Sequence, residues 1–316
     1  MEGAAVLSDP AVSVDGLIKA YGNAVAVNGI SFDIAAGETF ALLGPNGAGK
    51  TSTIEVLEGY RKRDGGNVDV LGFDPGRNHR EYRERIGLVL QSTALEPELT
   101  VQETITAFSQ FYPKPARIDG LLTSVGLADQ RAKRIRTLSG GQQRRLEIAL
   151  GLVGDPDVLF LDEPTTGLDP DARNGIWRMI QQLSGRGKTV ILTSHYMEEV
   201  EALADRLAIM VAGEICAIGT VSEVVGLHGN KPRFKFRWPH ENPPNDLPPT
   251  LADARNDPDN WIACDVAEPA RALAELTDWA PKHGIDLNSL TITRPSLEDI
   301  YLSIIERFHH VGGDGS

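Results

Sequence analysis

The sequence predicts an α/β fold built on a mainly parallel sheet, and three observations lead to this prediction. Short apolar runs such as Val158–Leu161 and Val190–Leu192 have the length and composition of buried strands. Stretches of helical length separate such runs through about residue 228. A glycine-rich loop joins one apolar run, Thr39–Leu43, to a helical stretch. Buried strands that alternate with helices are typical of a parallel sheet with both faces covered.

The elements of this α/β core are predicted in chain order from apolar runs and helical spacing. The predicted strands are Leu17–Tyr21, Ile30–Ile34, Thr39–Leu43, Ile86–Leu90, Val158–Leu161 and Thr189–Thr193. The predicted helices are Lys50–Glu58, Val101–Tyr112, Ile118–Val125, Gly140–Val153, Asp171–Leu183 and Met197–Leu207. The helices between about 92 and 153 follow one another without a strand, which indicates an inserted helical subdomain.

The composition changes after Gly229, which indicates a second domain. Residues 233–238 alternate charged and aromatic side chains, the pattern of a half-buried strand, and a proline-rich loop follows. The remaining predicted elements are a strand at Trp261–Val266, a helix at Ala270–Trp279, a strand at Leu287–Thr293 and a helix at Leu297–Phe308. We therefore expect a core domain over 1–228, a small α+β accessory domain over 229–308 and a disordered tail over 309–316.

Composition restricts the class of protein. No segment of the 316 residues has the roughly 18 to 20 uninterrupted apolar residues that cross a bilayer, and the first residues do not resemble a signal peptide. A membrane function would therefore need a partner that supplies the membrane part. The net charge of −13 argues against sequence-independent binding to nucleic acid. Cys216 and Cys264 could pair, but reduced thiols are favoured and fit a reducing cytosol.

The glycine-rich loop matches the P-loop pattern that binds nucleotide phosphates. It reads Gly44-Pro45-Asn46-Gly47-Ala48-Gly49-Lys50-Thr51, with Ser52 next in the helix. Glycines let successive N–H groups point at phosphate oxygens, and the helix N-terminus adds positive partial charge. Lys50 should reach the β- and γ-phosphates, and Thr51 should bind Mg²⁺. A glycine-rich surface turn is the alternative, which the strand before the loop and the helix after it disfavour.

Two carboxylates, Asp162 and Glu163, end the apolar strand at Val158–Leu161. A strand that emerges beside the P-loop would place Asp162 near the Mg²⁺ held by Thr51. Glu163 could then act as the general base that polarises the attacking water. A solvent-facing acidic pair is the alternative for this motif alone, and the complete P-loop upstream disfavours it.

A third motif, Leu138-Ser139-Gly140-Gly141-Gln142, distinguishes this chain from other P-loop nucleoside triphosphatases. Ser139 is a good helix N-cap, and the glycines would expose N–H groups at a helix start. The five residues resemble the signature of ABC ATPases almost letter for letter. The resemblance covers about residues 10–228 and implies the P-loop NTPase fold of that family, with ATP and Mg²⁺ as its ligands. In the family, the signature contacts the γ-phosphate of ATP held by another subunit.

The resemblance also assigns roles to single residues whose plain alternatives are packing or capping. Tyr21 matches the aromatic residue that stacks on adenine, and Gln91 matches the glutamine that approaches Mg²⁺ and water. Asp169, in the segment 167–170, matches the D-loop, and His195 matches the histidine that contacts the γ-phosphate. The resemblance thus implies Glu163, His195, Gln91 and Lys50 as the catalytic set.

The resemblance further implies the partners. One chain carries each motif once, so a composite site needs a second ATP-binding subunit, either another copy of this chain or a similar protein. A separate integral membrane permease, contacted near Ser92–Thr100, would hold the pair at the cytoplasmic face of the membrane. The C-terminal unit, which ends in Pro295–Tyr301, resembles the accessory segment of bacterial exporter ATPases of the daunorubicin-resistance type. Export is therefore favoured over import, and the substrate and the role of the C-terminal unit stay open.

Two other functions are less compatible with the sequence. Soluble ABC ATPases that act on ribosomes usually have two nucleotide-binding units in one chain, whereas those that organise DNA separate their halves by long coiled coils. Here one unit is present, and Thr51 and Ser139 are 88 positions apart (139 − 51). A non-catalytic scaffold is disfavoured because no catalytic position is changed. The basic cluster at 131–136 and His309-His310 are interpreted as surface and tail rather than as sites.

Overall fold

The computed structural model describes residues 10–77, 79–90, 94–227, 231–238, 247–252, 254–256, 261–293 and 296–311. The chain divides into two compact units, Met1–Val221 and Ser222–Ser316. The division falls a few residues before the boundary expected from composition, and each unit is described by itself.

The first unit contains the following strands and helices in chain order: β1 (Val12–Tyr21), β2 (Ala24–Ile34), β3 (Thr39–Leu43), α1 (Lys50–Leu57), β4 (Gly65–Val70), α2 (Arg80–Arg85), β5 (Ile86–Val89), α3 (Val101–Ser109), α4 (Ile118–Ser124), α5 (Gly140–Leu152), β6 (Val158–Asp162), α6 (Pro170–Ser184), β7 (Thr189–Ser194), α7 (Met197–Leu203), β8 (Arg206–Val211) and β9 (Glu214–Gly219).

A six-stranded sheet forms the centre of this unit, in the order β5-β6-β7-β3-β8-β9. Every neighbouring pair is parallel except β8 and β9. All residues of β3 and β7 are buried, as expected for strands covered on both faces. This arrangement confirms the α/β fold with a mainly parallel sheet. Because the carboxyl ends of parallel strands lie at one edge, the loops after β3, β6 and β7 meet there.

A second sheet of three antiparallel strands, β2-β1-β4, adds to the same core. The rings of Phe32 on β2 and Phe40 on β3 stack with centroids 5.4 Å apart. One hydrophobic cluster includes residues of both sheets and of α1. The sheet therefore fixes β1, and with it the strand end at Tyr21, relative to the P-loop strand.

Helices α3, α4 and α5 follow one another between β5 and β6, as the sequence predicts for the inserted subdomain. Thr100 caps α3 with a reciprocal bond to Glu103, so the helix has a defined start. At the other end of the subdomain, Gly151 near the end of α5 lets this helix pack against β5. A Cβ at Gly151 would lie 2.9 Å from Val89 Cγ2. The subdomain is therefore joined to the parallel sheet through α5.

The second unit contains α8 (Val221–Leu227, which begins at the division), β10 (Arg233–Arg237), β11 (Arg255–Asn256), β12 (Trp261–Asp265), α9 (Pro269–Trp279), β13 (Thr291–Thr293) and α10 (Leu297–Val311). Its antiparallel sheet has the order β11-β12-β10-β13. Phe234 and Phe236 of β10 pack in one buried cluster with Leu276 and Trp279 of α9. The small C-terminal α+β fold is confirmed.

Three predicted elements are wrong in part. The helix predicted over 197–207 ends at Leu203, because Ala204 is extended and Asp205 bonds the backbone of Thr39. The apolar run that follows is β8, in the central sheet. The strand predicted over 287–293 is a 3₁₀ turn followed by the short β13. The last helix continues through residues 309–311, which the sequence placed in the tail.

The sequence analysis missed β4, α2, β8, β9, α8 and β11. Five of the six are short or lie at sheet edges, where hydrophobic periodicity is weak. Across the described residues, no helix combines the length and apolar character needed to cross a bilayer.

Candidate functional site

The P-loop joins β3 to α1 and is held tightly between neighbouring strands. Gly47 and Gly49 have φ of 81° and 100°, a left-handed region that favours glycine. A Cβ on Gly44 would lie 2.3 Å from the carbonyl oxygen of Met210, and one on Gly49 would lie 2.3 Å from that of Ala26. The glycines thus let the loop pass against the backbones of β8 and β2.

Lys50 begins α1 and lies across the loop. Its side chain is buried, and Nζ donates to the carbonyl oxygens of Gly44, at 2.6 Å, and of Pro45, at 3.0 Å. Burial lowers the pKa of Lys50, and the nearby carboxylates Glu163 and Asp162 oppose that shift. The ammonium group is therefore placed inside the loop beside the two acidic residues.

The start of α1 supplies groups suited to phosphate. The first N–H groups of a helix have no carbonyl partner within the helix, and the helix dipole makes this end positive. Thr51 is exposed there, and the hydroxyl of Ser52 lies 3.2 Å from that of Tyr21. The Tyr21 ring, 41% exposed, ends β1 beside this helix start. A nucleotide with phosphates in the loop could therefore stack its base on this ring.

Asp162 ends β6, Glu163 follows it, and the two share one buried partner on β7. Thr193 Oγ1 donates to Asp162 Oδ1 at 2.5 Å and accepts from the Glu163 N–H at 3.1 Å. Glu163 has φ of 45°, an uncommon conformation for a side chain other than glycine, and it is found most often at functional sites. Thr193 therefore orients the Asp162 carboxylate and holds the backbone of Glu163 at the edge where the P-loop also ends.

The structure brings Glu163 and His195 together. His195 follows β7, and its Nδ1 atom lies 3.2 Å from Glu163 Oε1. The second carboxylate oxygen of Glu163 accepts from the Thr166 hydroxyl at 3.1 Å. The His195 ring also packs on that of Tyr196, with centroids 4.0 Å apart. A carboxylate and an imidazole held at this distance can exchange or share a proton with a bound water.

The signature motif begins α5 and is a well-capped helix start. Ser139 and Gln142 exchange hydrogen bonds, in which Ser139 Oγ accepts from the Gln142 N–H and Gln142 Oε1 accepts from the Ser139 N–H. Gly140 is exposed, and a Cβ on Gly141 would lie 2.7 Å from that of Ala172. The motif therefore packs beside the start of α6, and its exposed residue Gly140 lies between the two N–H groups that the cap already occupies.

Asp169, the predicted D-loop residue, is the N-cap of that neighbouring helix. Its Oδ1 accepts from the Ala172 N–H at 2.9 Å. Among the described residues, no hydrogen bond joins the signature, residues 139–142, to the P-loop of the same chain. The structure thus groups the predicted site residues into two sets: one around Lys50, Asp162, Glu163 and His195, and one around the signature and the D-loop. Gln91 lies outside the described residues.

Two residues of this region carry no role in the sequence analysis. Arg144 on α5 is buried and donates to the carbonyl oxygens of Leu90, Asp162 and Pro164 at 2.7, 3.0 and 2.8 Å. Thr193 on β7 connects the carboxylate of Asp162 to the backbone N–H of Glu163. Arg144 lies in the helix directly after the signature, but its sequence gives no sign that it is buried. No sequence signal separates Thr193 from the other residues of a buried strand.

The residues present fit a nucleotide with a divalent ion. A Cβ on Gly44 or Gly49 would meet the backbone of β8 or β2, so these glycines allow the tight turn that points the N–H groups of the loop at a phosphate. Across the described residues, no group of three or more His, Cys, Asp or Glu side chains could hold a metal ion alone. One carboxylate and one hydroxyl, Asp162 and Thr51, suit Mg²⁺, which usually takes few protein ligands together with phosphate oxygens.

Comparison with known proteins shows the family. The model of the ABC transporter family matches residues 27–166, and that of the ABC transporter domain-containing protein-like C-terminal domain matches 232–296. The linearmycin resistance ATP-binding protein LnrL of Bacillus subtilis is 36% identical over 312 residues, which cover 94% of this chain and 98% of that protein. The chain belongs to the ABC transporter family of ATP-binding proteins. It is therefore an ABC ATPase, and ATP is its nucleotide.

Other relatives share the ABC ATPase region or the whole chain. The daunorubicin resistance ATP-binding protein DrrA3 of Streptomyces coeruleorubidus is 35% identical over 305 residues, covering 94% of this chain and 96% of that protein. Nod factor export ATP-binding protein I of Ralstonia nicotianae is 44% identical over 229 residues, covering 71% of each. The solved structure of cbiO1 from Clostridium perfringens, part of the ABC transporter complex cbiONQ, superposes with a TM-score of 0.64 at 30% identity, covering 69% of this chain and 92% of that one.

Proposed function

We propose that this ABC ATPase powers an exporter as a dimer of ATP-binding subunits attached to a separate membrane permease. The observation that carries this proposal is the pair formed by Glu163 and His195, at the strand edge where the P-loop ends. In this role, Glu163 accepts a proton from the attacking water and His195 contacts the γ-phosphate. Hydrolysis then supplies the work of transport.

Mg·ATP is held by the P-loop set. Lys50 exchanges its bonds to Gly44 and Pro45 for the β- and γ-phosphates, because charge-assisted bonds to phosphate are the stronger ones. Asp162 and Thr51 hold Mg²⁺, with Gln91 as a further ligand, and the bound ion neutralises developing charge on the phosphates. Tyr21 stacks on adenine. Thr193 keeps Asp162 and Glu163 oriented for these separate tasks.

The signature completes the site of a second subunit. Ser139 to Gln142 form an exposed helix start that is not hydrogen-bonded to the P-loop of its own chain, while the N–H groups there suit an anion. Asp169 adjoins that start through α6. ATP bound by one subunit thus links to the signature of the other, as a ligand that stabilises the dimer. The pair is proposed to be a homodimer.

Export is proposed from the relatives. The resistance proteins align with 94% of the chain, including its C-terminal unit, whereas the Nod factor export match covers 71%. The match through the second unit supports a role like that of the drug-resistance relatives, and this unit is proposed to form an accessory domain after the ATPase domain. The permease holds the ATPase at the cytoplasmic face of the membrane. The contact surface is the groove between the parallel sheet and the helical subdomain, beside the segment 92–100.

Hydrolysis by Glu163 is tested with Glu163→Gln. We expect the variant to keep Mg·ATP binding and to lose ATPase activity by about 10²- to 10⁴-fold, the usual contribution of a general base. Glu198→Gln on the exposed side of α7 removes the same charge and should leave the rate unchanged. A Glu163→Gln rate within threefold of the wild type would contradict the assigned role.

The composite site is tested with Gly140→Asp. A Cβ at Gly140 has no heavy atom closer than Leu168 Cδ2, at 4.0 Å, so the folded subunit accepts the side chain. Its carboxylate would face the γ-phosphate of the partner's ATP. In the Glu163→Gln background, we expect Mg·ATP to convert the protein from monomer to dimer, and Gly140→Asp to abolish this shift. Gly120→Asp, on an equally open helical position, is the matched control.

The permease is tested by gentle solubilisation of host membranes that contain tagged Glu163→Gln protein with Mg·ATP. A polytopic membrane protein in near-equal amount is the expected result. Recovery of soluble assemblies alone, with the protein absent from membranes, would favour a non-transport ABC ATPase that acts on a macromolecular complex.

A further inference from the structure

A groove lies in the first unit between α1, α2 and β5 on one side and the helical subdomain on the other. It encloses a cavity of about 570 Å³, and its walls are mostly apolar. Leu88, Leu90 and Phe108 line it, and each is at least 40% exposed; Tyr60 on the rim is 75% exposed. Large exposed side chains gathered on one concave surface are typical of an interaction site.

A carboxylic acid, Glu58, lies among these apolar residues. It follows α1 and lines the groove, yet within the described part of the chain its carboxyl group forms no hydrogen bond or ion pair. The neighbouring Tyr82 hydroxyl donates to the Leu57 carbonyl oxygen instead. Burial raises the pKa of Glu58 to about 8, and the charges of Asp162 and Glu55 add to the shift. The groove therefore holds an acid whose charged form the unbound protein disfavours.

The other charged groups of the groove differ from Glu58. Glu147 on α5 is paired with Arg144 at 2.7 Å, so its charge is already compensated. Arg83 on α2 is exposed and forms no ion pair with Glu58. Glu55, one turn before Glu58, pairs with Arg61 at 2.5 Å. Glu58 is thus the groove acid with an unused capacity to bind a cation.

We propose that Glu58 selects the helix that docks in this groove, by requiring an Arg or Lys among the apolar residues of that helix. The inference rests on the proposed function, in which a segment of the permease fills the groove. Apolar walls suit the apolar face of an amphipathic helix. A cation that reaches Glu58 forms a charge-assisted bond in a site shielded from water, whereas a neutral residue offers at most an uncharged hydrogen bond and an acidic residue repels the carboxylate.

The probe is a pair of stapled amphipathic helical peptides that differ at one central position, Arg in one and citrulline in the other. Citrulline keeps the size of the side chain and part of its N–H donors, and it replaces one charged guanidinium nitrogen by a neutral carbonyl oxygen. Affinities are measured by calorimetry on the full-length wild type, on Glu58→Gln and on Glu81→Gln. Glu81 is exposed on α2 and does not line the groove, so Glu81→Gln is the matched control for net charge.

The wild type and Glu81→Gln should bind the Arg peptide at least about tenfold more tightly than the citrulline peptide, the low end for a hydrogen bond to a charged group. Glu58→Gln should bind both peptides equally. Phe108→Glu, which places a charge on the apolar wall, should weaken binding of both peptides.

Three results would overturn the inference: equal binding of the two peptides to the wild type, unchanged preference in Glu58→Gln, or binding that survives Phe108→Glu. The absence of peptide binding to the wild type would overturn it as well. ATPase activity of the same preparations is measured in parallel. If ATPase activity is intact, any of these results contradicts only the role of Glu58 and leaves the proposed ATP-driven function in place. Charge selection without ATPase activity would contradict the proposed ATP-driven function and leave the role of Glu58 in place.

Discussion

Replacement of Arg144 by Met tests how α5, the helix that begins with the signature, is joined to residues 162–164 at the end of β6. We call these residues the catalytic turn, after the role proposed for Glu163. The guanidinium is 8% exposed and donates to four carbonyl oxygens, those of Leu90, Asp162, Glu163 and Pro164, and to the Glu147 carboxylate. Five acceptors around one planar group use its fork of N–H donors almost completely. Met fills a similar length but supplies no donor.

The expected loss follows from these contacts. Breaking a buried ion pair by removing one partner costs about 3 to 5 kcal/mol, because the remaining charge is uncompensated. Glu147 would remain with a 14% exposed side chain and no cation at 2.7 Å. Water that enters can replace some of the carbonyl bonds, so we expect about 3 kcal/mol or more of lost unfolding free energy. This is a large part of the 5 to about 15 kcal/mol that stabilises a typical domain.

Urea unfolding is monitored by hydrogen exchange of peptides from the first unit. This readout is chosen because the two units need not unfold together. Arg178→Met is the matched control, since Arg178 is exposed on α6 and, among the described residues, its side chain bonds only the Asn174 carbonyl oxygen of its own helix. That control should change stability by less than about 0.5 kcal/mol. If the unfolding free energy of Arg144→Met lies within about 1 kcal/mol of the wild-type value, as expected for the control, the buried bonds of Arg144 do not stabilise the fold as proposed.

Three further changes test the site and the groove. Thr193→Val removes the donor to Asp162 and the acceptor for Glu163, so we expect kcat to fall about 10- to 100-fold, or roughly 1.4 to 2.7 kcal/mol, with little change in ATP affinity; an unchanged kcat would exclude a positioning role. Gly44→Ala forces a Cβ within 2.3 Å of the Met210 carbonyl oxygen and should cost about 1 to 3 kcal/mol or more, measured against Gly120→Ala, where space is open. For Glu58, the pKa is raised from 4.5 to about 8 in the folded protein, so stability is lost as pH rises through this range. Glu58→Gln should therefore gain on the wild type by up to about 5 kcal/mol at pH 9 and by nothing near pH 4, and a constant difference in urea unfolding would contradict the shift.

The sequence predicted the elements whose signals are local. The P-loop lies between β3 and α1 as its glycines and apolar strand indicate, and Ser139 caps α5 as its position before Gly140 suggests. The strand ends at Asp162 and His195 follow from continuous apolar runs, which a buried parallel strand requires. These features depend on neighbours in the chain, so one sequence contains enough information to place them.

Features that depend on tertiary contacts could not be predicted in this way. Residues 206–211 have an apolar composition that suits either a helix or a strand, and their strand pairs with β3, which is distant in sequence. The burial of Arg144 depends on the approach of β5 and β6 to α5. Glu58 is one acid among many in a chain of net charge −13. Its raised pKa arises mainly from the packing around it, which the sequence alone does not show.

Leu90 connects the groove to the catalytic turn. Its side chain lines the groove, and its carbonyl oxygen accepts from Arg144 at 2.7 Å. The same guanidinium donates to the carbonyl oxygens of Asp162 and Glu163, at 3.0 and 3.3 Å. Because this planar group has a fixed geometry, Leu90 cannot move by more than a few tenths of an ångström without stretching a bond to Arg144 or shifting Arg144 against the turn. In the proposed function, a helix that displaces Leu90 would act on the backbone that carries Glu163, and this contact would connect the groove to hydrolysis.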